Sequence, residues 1–326
     1  MSPFLLIDAR SATEAVALLQ AHGPHSQVMA AGGDLLGLLK DGVRGPTLLP
    51  PRVVVNLATA AELRRVESRA DGLSLGAMVS LSTLARMHGL PPMLTEAIGH
   101  VASPQLRAVT TLGGNLLQRP RCLYFRHPDE VCFKKGGTGC PAISGPVQAY
   151  AGALMSGACH AGHPSDLAPV LIALQASAEL CGPPGVRHVP LVSLYRDAAT
   201  RADAEAAVGR DEVLVRLHVP HTTLAQAFEK VAPRDANEFA TASAAAAGAV
   251  EGGRWQALRI ALAGVAPGPL LLPTDAVIGQ PSDARSDYVL AAALLPAPAC
   301  APLDTRLSAA RLAVERALRR VRTASA

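Results

Sequence analysis

Over residues 1–57 apolar positions fall in short runs separated by turn residues. "FLLIDA" is a run of strand length, and "SATEAVALLQAHG" behind it has the spacing of a helix, with Ser11 and Glu14 placed as a capping box and Gly23 where a helix stops. "QVMA" predicts a second strand, "AGGDLLGLLKDG" a glycine turn opening into a short helix, and the β-branched "RVVVNL" a third strand. Parallel neighbours need a crossover between them, so this order predicts a small parallel sheet with helical connections.

The pattern then changes. "ELRRVESRADGLSLGAMV" alternates around Ala70-Asp71-Gly72 and predicts a hairpin, followed by helical stretches near Ser80 to Met87 and Pro91 to Val101. "DLAPVLIALQ" is apolar on every side and predicts a buried helix. "SAELCG" and "VRHVPL" flank the Pro183-Pro184-Gly185 turn, and "EVLVRLHVP" closes the region before a change of composition near Pro220. Beyond it, "ATASAAAAGAVEGGRWQALRIALAGVAPGP" folds most simply as a hairpin about Glu251 to Arg254. The C-terminal stretch predicts an amphipathic helix with Leu303, Leu307, Val314, Leu318 and Val321 on one face and its arginines on a solvated one.

Composition narrows the function classes. With 326 residues, 49% hydrophobic and 17% charged, the chain is globular and long enough for about two cores. A net charge of +4 and an aromatic content of 3% argue against a nucleic-acid surface. No apolar run approaches the ~20 residues of a membrane span. No basic region precedes the apolar run at the N-terminus, so no signal peptide is expected. The expectation is a cytoplasmic protein, or a periplasmic one if a partner with its own export signal carries the folded complex.

Three stretches carry candidate chemistry. "AAGGDLLG" (residues 30–37) places glycines between a strand and a helix, where amides can face an anion; it is not a dinucleotide fingerprint, and an ordinary tight turn is the plain alternative. "TTLGGN" (residues 110–115) is a second such segment, and two of them suit a ligand with two phosphates lying between subdomains. Four of the six cysteines, Cys122, Cys132, Cys140 and Cys159, lie within 38 positions in text rich in turn residues. Their spacing leaves open a metal or iron–sulfur cluster, two disulfides, or free thiols. Asp166 of "HPSD" stands as a helix cap or as an acceptor for sugar hydroxyls, and His160 and His163 as metal ligands or bystanders. No hydrolase triad is evident.

Taken together, "AGGDLL", "TLGGN", "PSDLAPVLIAL", "FEKVAPRDANEFATAS" and "RIALAGVAPGP" resemble the flavin-binding medium subunit of molybdenum hydroxylases, the group of carbon monoxide dehydrogenase, xanthine dehydrogenase and bacterial aldehyde oxidoreductases. The resemblance spans nearly the whole chain. It implies an α+β fold: an FAD-binding domain of the p-cresol methylhydroxylase (PCMH) type, made of subdomains 1–57 and 58–220, and a C-terminal α+β domain, 221–326, of the CO dehydrogenase flavoprotein type. It further implies that Val28, Met29, Ala30, Ala31, Gly32, Gly33, Asp34 and Leu35, with Thr111, Leu112, Gly113, Gly114 and Asn115, hold the FAD diphosphate. Asp166 would turn toward the ribityl hydroxyls, Lys230 would lie by the flavin ring, and Val101 and Gln118 would also contact the cofactor.

In most subunits of the family the aspartate follows the second glycine segment closely, whereas here Asn115 and Asp166 are 51 positions apart. The extra loop, about 119–162, holds all four clustered cysteines. This is similar to the subclass with a [4Fe–4S] insertion, as in the periplasmic aldehyde oxidoreductase type and 4-hydroxybenzoyl-CoA reductase, and "QRPRCLYFRH", "GTGC" and "HPSD" are nearest the former. The implied protein is the FAD- and [4Fe–4S]-carrying electron-transfer subunit of a heterotrimeric molybdenum-dependent aldehyde oxidoreductase. Substrate is hydroxylated on a large molybdenum subunit, and electrons come through the [2Fe–2S] clusters of a small subunit to FAD and then to an external acceptor. No catalytic side chain is expected here. Ala31 stands in place of the family's first Gly, and Gly33 in place of its Thr, together with a short C-terminal domain, favours an alternative: a flavin-free assembly subunit whose cysteine loop is stapled by a metal such as zinc.

Overall fold

The computed structural model describes residues 1–144, 154, 159–198, 204–295 and 304–325. It is built on three sheets. The first is parallel, in the order β1-β3-β2, from β1 (Leu5–Asp8), β2 (Ser26–Met29) and β3 (Val53–Asn56). Helix α1 (Ala12–His22) makes the first crossover and the short α2 (Leu35–Lys40) lies in the second. The Ser11 hydroxyl caps α1 by accepting from the Glu14 amide at 3.0 Å, and Gly23 ends it at φ 53°.

The second sheet is antiparallel, in the order β4-β5-β8-β6-β7, from β4 (Val66–Arg69), β5 (Gly72–Gly76), β6 (Ser177–Gly182), β7 (Gly185–Pro190) and β8 (Val213–Pro220). Between β5 and β6 the chain makes α3 (Leu81–Ala85), α4 (Pro92–His100), α5 (Pro104–Val109) and α6 (Leu112–Leu116). It then runs through the cysteine loop with α7 (Leu123–Arg126) and α8 (Pro141–Ser144), and enters α9 (Leu167–Ala173), every residue of which is buried. Helix α10 (Leu191–Ala198) follows β7. The second glycine segment is itself helical rather than a turn leading into a helix: it forms α6, with Thr111 as its cap.

The third sheet is antiparallel, in the order β12-β11-β10-β9, from β9 (Ala225–Val231), β10 (Ala242–Glu251), β11 (Arg254–Ala263) and β12 (Leu270–Leu271). Its central strand is alanine-rich, a composition that would favour a helix in isolation. Alternate residues go to different cores: Ala245 packs with α9, whereas Ala244 and Ala246 pack with the long α12 (Asp304–Ser325), where Val314, Leu318 and Val321 are fully buried. A helix on each face leaves room only for methyl groups, so tertiary packing overrides the local preference. Helix α11 (Ala284–Ala293) packs beside α12. Among the predicted face residues, Leu303 lies outside the described residues.

The sequence suggested a solvated arginine face on α12; Arg311, Arg316 and Arg319 are exposed, but three other arginines are tied to neighbouring elements. Arg320 pairs with Glu96 and Glu229 at 2.8 and 3.0 Å, Arg322 with the buried Asp287 at 3.0 Å, and Arg306 donates to the carbonyls of Thr241 and Gly264. They fasten the helix to α4, β9 and α11.

Candidate functional site

A cleft of about 900 Å³ opens beyond the end of β2, at the upper end of the ~300–1,000 Å³ usual for cofactor sites. Its first wall is the glycine turn. Gly32 has φ 77°, which an L side chain rarely adopts, and a Cβ there would lie 2.7 Å from Leu36 Cδ1. Among the described residues, the amides of Ala31, Gly32, Gly33, Asp34 and Leu35 donate to no protein acceptor. Five free donors on a concave turn are suited to an anion. The Asp34 carboxylate does not cap α2; it is drawn back by the Arg119 amide at 2.7 Å, Arg121 at 2.8 Å and Arg126 at 2.7 Å. Burial works to raise its pKa, but the two guanidiniums outweigh that and hold it below the usual carboxylate range.

The second wall is α6, and it uses its amides differently. Leu112 N–H donates to Val79 O, Gly113 N–H to Ala77 O, Gly114 N–H to Thr111 Oγ1 and Asn115 N–H to Thr111 O, at 2.8 to 3.1 Å. Glycine serves close approach here: a Cβ on Gly113 would come within 2.9 Å of Ala77 Cβ. What remains for a ligand is the Thr111 hydroxyl proton and the Asn115 side-chain amide. The Asn115 carbonyl is held by the Ser165 hydroxyl at 2.6 Å. Behind it, His163 Nδ1 accepts from the Ser165 amide at 3.4 Å, its ring meets Tyr195 edge-on, and the Tyr195 hydroxyl donates to Leu116 O. Burial pushes the His163 imidazole down to about 3, so it is a neutral core residue.

Asp166 lines the cleft with Oδ2 2.7 Å from Lys230 Nζ, while its Oδ1 is buried without a partner. Burial pushes this carboxyl up against the pull of Lys230. An acceptor lacking a donor, at the edge of a cleft, fits a polyol hydroxyl. The Lys230 ammonium also donates to Glu238 O and His100 O, which uses all three of its protons.

Fifteen of the seventeen residues expected to hold a flavin line this cleft: Val28 to Leu35, Val101, Thr111, Gly113 to Asn115, Gln118 and Asp166. Two do not. Leu112 is fully buried in the core beneath α6, and Lys230 stands behind Asp166, saturated by protein acceptors. Residues not expected as cofactor contacts complete the walls. Arg121 lies over the Phe239 ring at 4.8 Å, bringing the 237–239 segment across the cleft from the third sheet. Glu205 sits between Arg119 at 3.1 Å and Lys134 at 3.2 Å, as charge contacts rather than aligned hydrogen bonds. The cleft lining sets Arg119, Arg121, Lys134 and Arg210 against Asp34, Asp166, Glu205, Glu212 and Glu238, so it carries no excess of positive charge.

Cys122, Cys132, Cys140 and Cys159 all line a second, small cavity, with Tyr124, Phe125, Phe133, Lys134, Pro141 and Ala161. All four are free thiols, which removes the disulfide alternative for these residues, and Cys181 lies apart in β6. Burial raises Cys122 and pushes Cys159 up to about 11. Among the described residues no three His, Cys, Asp or Glu side chains converge tightly enough for a single ion. The thiols stand around a shared space instead, and neither His160 nor His163 joins them. Four thiols on one cavity are a donor set that fits an iron–sulfur cluster. Cys300 lies outside the described residues.

The family described as "FAD binding domain in molybdopterin dehydrogenase" matches residues 2–222. The aldehyde oxidoreductase FAD-binding subunit PaoB of Escherichia coli (strain K12) is 34% identical over 290 residues, covering 86% of this chain and 88% of that protein. The carbon monoxide dehydrogenase medium chain of Afipia carboxidovorans is 26% identical over 266 residues, 80% of this chain and 74% of that one. Among solved structures, a chain of carbon monoxide dehydrogenase from Hydrogenophaga pseudoflava superposes with a TM-score of 0.75 at 23% identity, over 100% of this chain and 99% of its own. A chain of quinoline 2-oxidoreductase from Pseudomonas putida 86 gives 0.75 at 24% identity, over 100% and 99%. At these identities the two structures speak to the fold.

Proposed function

The chain belongs to the FAD-binding domain family of molybdopterin dehydrogenases, as the flavoprotein subunit of an oxidoreductase, and on that premise we propose that it carries both FAD and a [4Fe–4S] cluster in an aldehyde-oxidising enzyme. The observation that carries this is the juxtaposition of a flavin-sized cleft and a four-thiol cavity with Lys134 in the wall of both. The aldehyde assignment rests on the 34% identity to PaoB over most of both chains. The partners would be a large molybdenum subunit and a small [2Fe–2S] subunit. No helix among the described residues is long and apolar enough to cross a membrane.

When bound, FAD supplies two-electron acceptance with one-electron release, and the cluster supplies single-electron transfer. The chain's own residues bind and orient. Free amides of residues 31–35 would receive the diphosphate, and the Thr111 hydroxyl and Asn115 amide would donate from the facing wall. Asp166 Oδ1 would accept from a ribityl hydroxyl, with Lys230 fixing the carboxylate as a positioning residue. Cys122, Cys132, Cys140 and Cys159 would hold the cluster as thiolates.

Absorbance spectroscopy with iron and acid-labile sulfide analysis of the purified complex tests this. The expected result is flavin bands with about four irons per chain above those of the small subunit's clusters. Zinc on the thiols, or a complex without flavin, overturns it in favour of the assembly subunit.

A further inference from the structure

Lys134 has a place that neither cavity alone explains. It follows Cys132 by two positions in a 3₁₀ turn (Phe133–Lys135), is only 2% exposed, and lines the cleft on one side and the thiol cavity on the other. Its ammonium donates to Ala204 O at 2.9 Å and contacts Glu205 at 3.2 Å, and Glu205 in turn contacts Arg119 of the cleft wall. Placing a cation and a carboxylate this deep is costly unless they are paired, so the pair fixes one positive and one negative charge in a low-dielectric wall. The thiol cavity is otherwise faced by aromatic and small side chains.

We propose that Lys134 and Glu205 are an opposed pair of tuning charges for the redox centre on the four thiols: Lys134 favours its reduced, more negative form and Glu205 disfavours it. This rests on the thiols holding an iron–sulfur cluster, as proposed above. Reduction adds one electron to a centre already carrying thiolate charge, so a nearby buried cation raises the potential and a nearby carboxylate lowers it. Both are positioning residues in this sense, since neither is a ligand.

The test is a dithionite–ferricyanide titration of the intact complex, followed by the paramagnetic signal of the reduced cluster, in wild type, Lys134→Gln, Lys134→Arg and Glu205→Gln. Lys134→Gln is expected to lower the reduced-to-oxidised ratio at fixed poise about tenfold, which is about 59 mV for one electron. Glu205→Gln is expected to raise it, and Lys134→Arg to stay near wild type. Opposite signs from two partners of one ion pair would not arise from loosened packing, which shifts both variants alike. If Lys134→Gln does not retain iron, the sign of the Glu205→Gln shift decides. A cluster present in wild type whose potential is unchanged in Glu205→Gln, or moves the same way in both neutral variants, overturns the inference and leaves the cluster reading standing. Wild type without iron overturns the cluster reading itself.

Discussion

The two walls of the cleft carry similar text, "AGGDL" and "TLGGN", and spend their backbone donors in opposite ways. At residues 31–35 the amides have no acceptor among the described residues, while at α6 they are taken by Ala77, Val79 and Thr111. One wall is a donor surface made possible by a left-handed glycine. The other is a packed wall in which glycine lets a short helix sit against β5's exit and against the first turn, with Gly114 directed toward Ala30. Glycine-rich text therefore does not mean an anion nest. Whether its amides are free depends on what lies across from them.

The largest effect that separates the walls should be acid. Only α6 leans on a buried neutral imidazole, through Ser165 and Asn115. His163 has a folded value of about 3 against an ordinary 6.5, so the unfolded chain takes the proton first. Its contribution is complete above pH 6.5 and is lost progressively as pH falls toward 3. Melting temperature against pH should show this slope, and His163→Phe should flatten it; an unchanged slope would remove His163 from the α6 wall. The first turn should hold until the Asp34 carboxyl, whose pKa is depressed, begins to protonate below the usual carboxylate range.

Next in size is Gly113→Val. Its side chain would meet Ala77, and overpacking of this kind costs about 1–3 kcal/mol. Denaturant unfolding of the apoprotein should register the loss before any flavin is added. Smaller is Thr111→Val, which removes the hydroxyl that accepts from the Gly114 amide as the cap of α6, and should cost about 0.5–2 kcal/mol of stability. A drop in flavin affinity beyond that loss would report the hydroxyl's own bond to the ligand. Smallest is Gly33→Thr. A Cβ there meets nothing within 4 Å, so apoprotein stability should stay level. Flavin affinity should improve by about 0.5–1.5 kcal/mol if a hydroxyl is regained, read by equilibrium titration. A folding defect in this variant would mean that the open first wall is more constrained than its geometry indicates.

Much of the scaffold was legible because it depends on near neighbours. The Ser11 cap, the Gly23 stop, the hairpins at Asp71-Gly72 and at Glu251 to Arg254, and the uniformly apolar α9 are all written in period and turn chemistry. The short helices α5 to α8 and α10 were not foreseen, since four to eight residues carry too little periodic signal. Of the site, the positions of the glycines, Asp166 and the four cysteines could be picked out, but their states could not.

The strand–helix order of the first sheet, the Ser11 cap and Gly23 stop, the hairpin turns and the placing of four cysteines in one loop came from the sequence alone, because each is set within a few residues along the chain. Which amides stay free, why Lys230 and Leu112 fall outside the cleft, and why Lys134 borders both cavities were decided by tertiary structure. The reason is distance in sequence. The Arg119 amide reaches Asp34 across 85 positions and the Ser165 hydroxyl reaches Asn115 across 50, and a hydrogen-bonding group is free or spent according to partners that only the folded chain brings near.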